Sequence, residues 1–392
     1  MKNKTFYFLI ALFFITTCAV LAQDFPRVGP RAIGMGGAFV AVSNDDTAIS
    51  WNPAALFQNQ ESGGSGMLGF GVDDRQDFIK SVEKLADVTL DLDNPSLFAS
   101  NAVTVLNAIR SLLTKNSGAT GNIGYGFYTV RGGIGFTYTD QYWETGYPVL
   151  DINHLNLDPL APDSIAHNDS SLSFQALRTK EIILTLSHTL GDPRLLVGAN
   201  LKYMRGNSYF SSVSIYNIED FSAKEFLDEA KKNKSGTASS FSMDVGAIYI
   251  PHPRFRVGIT GRNIFDPEFD FGDRGKLKAG RNWRAGLAVF ATSTLTIAAD
   301  FDVATNKTGI GTLEDRELAV GMEKWNKGRT FAFRGGFTKN IEEKNSDYQL
   351  SGGLGFQANK MRGDVGVGFA PGSKDIYAAF SLGVAYPLTQ KR

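Results

Sequence analysis

The sequence predicts an all-β chain: a transmembrane antiparallel β-barrel of about fourteen strands, with a compact non-strand segment ahead of it and short helices in its outer loops. Three observations predict it. Short segments alternate apolar and polar residues through most of the 392 residues, giving each strand two chemically different faces. The connections between them alternate long and tight in a constant phase. An export-type segment opens the chain, and no later apolar run is long enough to make a spanning helix.

Residues 1–22 read as a cleaved secretory signal. Lys2 and Lys4 give the charged start, Phe6 to Val20 the apolar core, and Val20-Leu21-Ala22 a cleavage context, so processing is expected near Ala22–Gln23. A membrane anchor would need a longer run followed by stop-transfer charges. The sole cysteine, Cys18, lies in this segment, so the mature chain is expected to have no thiol or disulfide chemistry. Lysine plus arginine and aspartate plus glutamate both number 40, which leaves no basic footprint for nucleic acid. The expected domains are 1–22 signal, 23–60 a non-strand segment ahead of the barrel, and 61–392 barrel.

Alternation places the strands near 64–72, 120–128, 131–140, 180–190, 194–205, 239–250, 254–264, 281–291, 293–303, 315–325, 329–338, 348–358, 361–370 and 375–386. The last shows the pattern well: Ile376, Ala378, Phe380, Leu382, Val384, Tyr386 and Leu388 share one face. Counting from the first strand, the odd connections are mostly long: 73–119, 141–179, 206–238, 265–280, 304–314 and 339–347, with 371–374 short. The even ones are tight, at Thr129-Val130, Gly191-Asp192-Pro193, Pro251-His252-Pro253, Thr292, Asn326-Lys327-Gly328 and Asn359-Lys360. Long loops on one side, with tight turns and both termini on the other, is the bacterial outer-membrane pattern.

The polar faces carry Lys202, Asp244, Arg256, Arg262, Arg284, Asp300, Asp302, Glu317, Glu323 and Arg334. Single charges of both signs suit a polar lumen and are costly against lipid. Closure also removes the exposed edges of an open sheet. Tyr142, Trp143, Tyr249, Trp283, Trp325 and Tyr386 stand near strand ends as candidate interfacial girdles. Three helices are expected in the long loops. One lies over 75–88 with Phe78, Val82 and Leu85 on one face. A second starts at Asn94-Pro95, with a stripe of Phe98, Ala102, Val105, Leu106, Ile109 and Leu113. A third starts at the capping box Ser222-Ala223-Lys224-Glu225.

No catalytic set emerges, so no enzyme is expected. His154, His167, His188 and His252 lack metal spacing, and there is no nucleophile elbow or phosphate loop. Ser187 and His188 fall on opposite faces of one strand. The strand glycines suit curvature or close lumen packing. Asp73, Asp74, Asp77, Asp87, Asp91 and Asp93 read as a solvated acidic loop, since they lack EF-hand spacing. No metal or cofactor is expected.

The stretch RAIGMGGAFVAVSNDDTAISWNPAAL, Arg31 to Leu56, does not read as strand. Gly34, Gly36 and Gly37 suit tight backbone packing. Asn44, Asp45 and Asp46 make a turn or cap, with Arg31 a partner for the carboxylates. Asn52 before Pro53 fits an N-cap with proline at the first helical position. The same stretch, with Trp51-Asn52-Pro53-Ala54 at its end, resembles the N-terminal signature of the FadL-type outer-membrane barrels. That group includes hydrophobic-compound transporters, the PorV- and PorQ-like barrels of type IX secretion, and TraF-like plasmid-transfer barrels. The resemblance implies a fourteen-stranded barrel with an N-terminal lumen plug. It makes Arg31, Gly34, Gly36, Gly37, Asp45, Asp46, Trp51, Asn52, Pro53 and Ala54 the candidate plug or hatch motif. It implies outer-membrane lipid as surroundings, and either a hydrophobic small molecule or an exported or secretion-system protein as partner. Loops 141–179 and 206–238 are largely polar and the sequence ends Thr-Gln-Lys-Arg, which favours the PorV- or TraF-like branch.

Overall fold

The structure, a computed structural model, describes residues 28–58, 61–86, 95–113, 117–158, 160–215, 232–307, 313–342, 346, 348–373 and 375–387. The signal segment, the helix expected at Ser222–Glu225, and Asp87, Asp91 and Asp93 lie outside the described residues.

Fourteen antiparallel strands close into a barrel. They are β1 (Glu61–Arg75), β2 (Gly118–Arg131), β3 (Ile134–Val149), β4 (Ser171–Leu190), β5 (Asp192–Ser214), β6 (Thr237–His252) and β7 (Phe255–Arg262), then β8 (Asn282–Phe290), β9 (Leu295–Asp302), β10 (Glu317–Trp325), β11 (Phe331–Asn340), β12 (Tyr348–Ala358), β13 (Met361–Phe369) and β14 (Ile376–Pro387). Each pairs with its sequence neighbours, and β1 closes on β14 with Phe70 opposite Ala378. Every strand read from alternation is present. No described helix is long and apolar enough to cross a membrane.

The differences lie at strand ends. The first tight turn falls at Gly132-Gly133, not at Thr129-Val130, because those glycines supply the positive φ, 55° and 93°, that a two-residue hairpin turn needs. Strands β3, β4 and β5 run about nine residues past their expected outer ends, since their ladders continue into segments of mixed composition where alternation fades. Two small hairpins, Glu268–Asp270 with Lys276–Lys278 and Asn306–Lys307 with Glu314–Asp315, sit in the long connections.

Alternation sorts the faces. Phe127, Phe136, Leu184, Leu201, Phe241, Ile297, Val320, Phe333, Leu354, Val367 and Phe380 are exposed and point outward as a lipid-facing band. The charges expected in the lumen are inside, and most are paired there. Lys202 Nζ lies 2.7 Å from Asp244 Oδ1, Arg284 bridges Asp302 (2.6 Å) and Glu317 (2.7 Å), and Arg334 Nε lies 2.8 Å from Glu323. Arg256 stacks its guanidinium 4.4 Å from the Phe290 ring. Of the girdle aromatics, Tyr249 and Tyr386 are exposed. Trp143 and Trp325 instead turn to the lumen. Trp143 packs with Leu177, Met204 and Phe269, and Trp325 Nε1 donates to Glu323. Position near a strand end does not distinguish the two faces.

Ahead of the barrel, residues 28–58 form helix α1 (Pro30–Gly34), helix α2 (Ala48–Trp51) and a 3-10 turn (Pro53–Gln58). Beyond β1, helices α3 (Phe78–Ala86) and α4 (Pro95–Leu112) pack together at the outer end. Phe78, Val82, Leu85, Ala102, Val105, Leu106 and Ile109 join one buried cluster, whereas Leu113 lies past the end of α4 and is exposed.

Candidate functional site

Residues 28–58 touch both sides of the wall. Helix α1 rests on β11 to β14, and the 3-10 turn rests on β3 to β6. A segment in contact with opposite walls crosses the lumen. Nearly all of it is buried, including Trp51, Asn52, Pro53 and Ala54.

Gly36 and Gly37 turn the chain out of α1 with φ of 64° and 82°. The walls offer glycine wherever this backbone leans on them. A Cβ added to Gly246 would meet Asn52 Oδ1 at 2.0 Å, one on Gly366 the Pro30 carbonyl at 2.1 Å, and one on Gly321 the Met35 carbonyl at 2.2 Å. One on Gly336 would meet Gly36 N at 2.2 Å, and one on Gly198 the Pro53 carbonyl carbon at 2.4 Å. Gly34 lies against Gly353, where its own added Cβ would be 3.0 Å from the Gly353 Cα. Backbone therefore packs on backbone around much of the circumference.

Polar groups fasten this contact. Arg31 donates from Nε to Glu323 Oε2 (2.7 Å) and from Nη2 to Glu323 Oε1 (2.8 Å), while its Nη1 reaches Asn44 Oδ1 (2.6 Å) and Asp45 Oδ2 (3.1 Å). Such bidentate guanidinium–carboxylate pairs are among the stronger charge-assisted bonds. Asp45 Oδ1 accepts from Thr47 N at 3.0 Å, an Asx turn opening the approach to α2. Asp46 accepts from Arg362 Nη2 at 2.5 Å. Burial would raise the Asp45 carboxyl, but the Arg31 and Arg362 guanidiniums outweigh it and hold the carboxyl below its ordinary value. Burial, reinforced by the Asp45 charge, holds Asp46 above its ordinary value despite Arg362.

Asn52 Oδ1 accepts from Ala54 N at 3.1 Å and caps the 3-10 turn that Pro53 begins. Its Nδ2 is aimed at the carbonyls of Val40 (3.2 Å), Ala247 (3.3 Å) and Ile259 (3.4 Å), so one amide ties the segment to β6 and β7. Trp51 Nε1 donates to Val28 O at 2.6 Å, and its ring meets Phe39 edge-on at 5.8 Å.

The barrel contributes anchors that the motif alone does not reveal. Asp300 Oδ2 accepts from both Phe39 N and Val40 N at 2.7 Å. Asn200 Nδ2 donates to Ile49 O at 2.8 Å. Ser187 Oγ donates to Ala54 O and accepts from Phe57 N, while His188 lies 5.0 Å from the Phe57 ring on the other face. Alternation already marked Asp300 and Glu323 as lumen charges, and an uncompensated inward carboxylate was the available signal.

One cavity flanks the segment and another lies apart from it. One, of about 60 Å³, lies between Val28, Gly29 and Ile33 and the wall of β1 to β3, with Met67, Ile123, Trp143 and Tyr377 among its lining. It meets the wall where Gly69 stands opposite Gly124, and both lumen-side Trp143 and outward Phe70 and Tyr125 border it. The other, of about 380 Å³, opens at the outer end and is lined by carboxylates including Asp73, Asp74, Asp77 and Asp375, with Arg75 and Lys339. The first of these are committed to structure. Asp73 pairs with Arg75 at 2.8 Å, and Asp74 Oδ1 accepts from Ile79 N to cap α3. Deeper, oxygens of Asp302, Asp315 and Glu317 lie within 4.8 Å of one another, but Arg284 already donates to Asp302 and Glu317.

Fold and lumen segment together define a barrel of the FadL fold, a closed fourteen-stranded wall with an N-terminal segment across its lumen. Residues 50–302 match the family model described as F plasmid transfer operon, TraF, protein, and the chain belongs to that family. No curated protein matches the sequence. Among solved structures, the Ralstonia pickettii toluene transporter TbuX aligns with a TM-score of 0.52 at 12% identity, over 93% of this chain and 99% of that one. The CymD monoaromatic hydrocarbon channel aligns at 0.52 and 13%, over 93% and 99%. A Pseudomonas aeruginosa FadL homologue aligns at 0.52 and 12%, over 94% and 99%. At such identities the likeness is one of fold.

Proposed function

We propose that this is a bacterial outer-membrane protein, exported by its N-terminal signal, that takes up a small hydrophobic solute beside residues 28–33 and passes it through the plugged barrel. The observation that carries this reading is the cavity at the Gly69–Gly124 pair, bordered by lumen segment and lipid-facing side chains alike. Both glycines lie in the unbroken β1–β2 ladder, so the backbone closes the wall there and the missing side chains leave room on its lumen face. At about 60 Å³ the cavity is smaller than the ~150 Å³ that holds benzene in a dry protein interior, so a ring enters only as a side chain swings aside. Met67, unbranched and flexible, is the lining residue suited to that movement. The toluene and monoaromatic-hydrocarbon channels that share the fold support the same solute class.

The test is uptake of a monoaromatic hydrocarbon by liposomes carrying the purified barrel. Wild type is expected to exceed empty liposomes, and Gly124→Leu, which fills the cavity, to fall toward the empty level while the barrel stays folded. Equal uptake with and without the protein would sink the reading.

A second reading, a scaffold or shuttle for exported proteins, draws support from the tightly fastened lumen segment, the helix-capped outer end and membership of the plasmid-transfer family. Crosslinking in the outer membrane is then expected to capture one defined protein at the outer loops. A monomer under all crosslinking conditions would count against it.

A further inference from the structure

The tall part of the wall, β3 to β5, carries an outward patch that neither the lumen nor solute passage uses. On the outer face of β4, Leu186, Leu184 and Ile182 are exposed and apolar, and the next residue on that face is Lys180, followed by Arg178. From Leu190 at the tight-turn end to Ile182, eight or so residues at about 3.3 Å each and a tilt near 40° rise roughly 20 Å. Lys180 therefore stands where the lipid-facing band ends on the long-loop side.

Its neighbours are cations. Arg205 on β5 is the direct cross-strand partner of Lys180, and both are exposed. Like charges directly opposite each other destabilise a ladder unless something between them is negative. The nearest carboxylate, Asp140 on β3, accepts two bonds from Arg178, at 2.8 and 2.7 Å, and has Lys180 Nζ at 3.7 Å. Arg178 satisfies it, and Arg205 has no ion pair among the described residues. Above them Tyr142 stacks on Tyr209 at 5.6 Å, and Lys234 Nζ lies 5.9 Å from the Tyr209 ring. Tyrosine beside lysine and arginine at the edge of an apolar band is the composition of a headgroup layer.

We propose that Lys180 and Arg205, backed by Arg178 and Lys234, hold the phosphate of an anionic glycolipid of the outer leaflet. A phosphate oxygen between the two cations relieves their repulsion, and the guanidinium fork of Arg205 takes a second oxygen. The acyl chains then lie down the exposed Leu184, Leu186 and Leu201 below. The assignment of leaflet rests on the long connections facing outward. The binding itself does not, and it is independent of any transport role.

Native mass spectrometry of the full chain in detergent tests it, with bis-phosphorylated lipid A and its dephosphorylated form as probes. Wild type is expected to bind the phosphorylated lipid at least tenfold tighter than the dephosphorylated one. K180A/R205A should lose that preference, and K327A, at a tight turn, should keep it. Heat-modified gel mobility reports whether each variant is a folded barrel. Equal affinity of wild type and K180A/R205A for the phosphorylated lipid overturns the proposal. So does displacement of the lipid by millimolar inorganic phosphate, which would mark a free-anion site. Because detergent removes orientation, a wrong leaflet shows separately, as protection of loop 150–170 from protease added to whole cells.

Discussion

Arg31 and Glu323 face each other through two parallel hydrogen bonds, 2.7 Å from Nε and 2.8 Å from Nη2, and so join the lumen segment to strand β10. Glu323 also accepts from Arg334 Nε at 2.8 Å, and Arg334 Nη1 lies 2.7 Å from Asp364 Oδ1, so the pair heads a chain of alternating charge across β10, β11 and β13. Breaking one partner of a buried pair leaves the other uncompensated and costs about 3–5 kcal/mol. Arg31→Met is expected to weaken the seating of residues 28–58 by that order while the strand ladders stay intact. Hydrogen exchange read by peptide resolves the two. Faster exchange confined to the lumen segment supports the anchor role, and uniform protection across the chain refutes it.

Adjacent glycines on β11 provide a matched comparison. A Cβ on Gly336 would stand 2.2 Å from Gly36 N and 2.3 Å from the Met35 carbonyl carbon, whereas one on Gly335 meets nothing within 4 Å. Gly335→Ala is expected to be near neutral. Gly336→Ala forces backbone off backbone and should cost about 1–3 kcal/mol, as overpacking does. Urea midpoints of the two variants check this, and equal midpoints would mean that the segment yields easily.

How legible these features were depends on which physical signal carried them. Strand number, closure and the inward placement of Arg284, Asp302 and Glu323 follow from a period of two, which any half-buried strand must show. Asn52 capping at Pro53 and the Arg31–Asp45 contact are short-range and follow from residue chemistry. Asp300 holding Phe39 N and Val40 N joins positions far apart in sequence, and nothing local selects that carboxylate from its neighbours. Trp143 was misplaced for a related reason. Its place near the strand end is visible in the sequence, but its packing on Phe269 depends on a hairpin more than a hundred residues away.

Asn52 tests whether the segment moves. Its amide group reaches three carbonyls and caps Ala54 N, so Asn52→Ala leaves several buried polar groups without it, each worth about 1–3 kcal/mol if not re-satisfied. Replacement by Asp is expected to be worse, since a carboxylate would face three carbonyl oxygens. If the segment gates the lumen, Asn52→Ala raises solute flux in liposomes with heat-modified mobility unchanged. Loss of the folded band with no gain in flux would make Asn52 a folding residue.

Asp45 and Asp46 respond to pH in opposite directions. The folded Asp45 carboxyl titrates below its unfolded value near 3.9, so its contribution to stability is full above that value and disappears as pH falls through the folded one. The folded Asp46 carboxyl titrates above its unfolded value. Its contribution is full below that value and disappears as pH rises through the folded one. Substituting each by its amide separates them. At about pH 7, Asp45→Asn is expected to loosen the segment, whereas Asp46→Asn, which resembles the protonated acid, leaves it as tight as wild type or tighter. Below about pH 3.9 the gap between Asp45→Asn and wild type should narrow as the unfolded chain takes up its proton at this position. The indole N–H of Trp51, bonded to Val28 O at 2.6 Å, reports the seating through its exchange rate. If Asp46→Asn loosens the segment at neutral pH as much as Asp45→Asn does, Arg362 keeps Asp46 ionised, and the two carboxylates act as one doubly charged anchor.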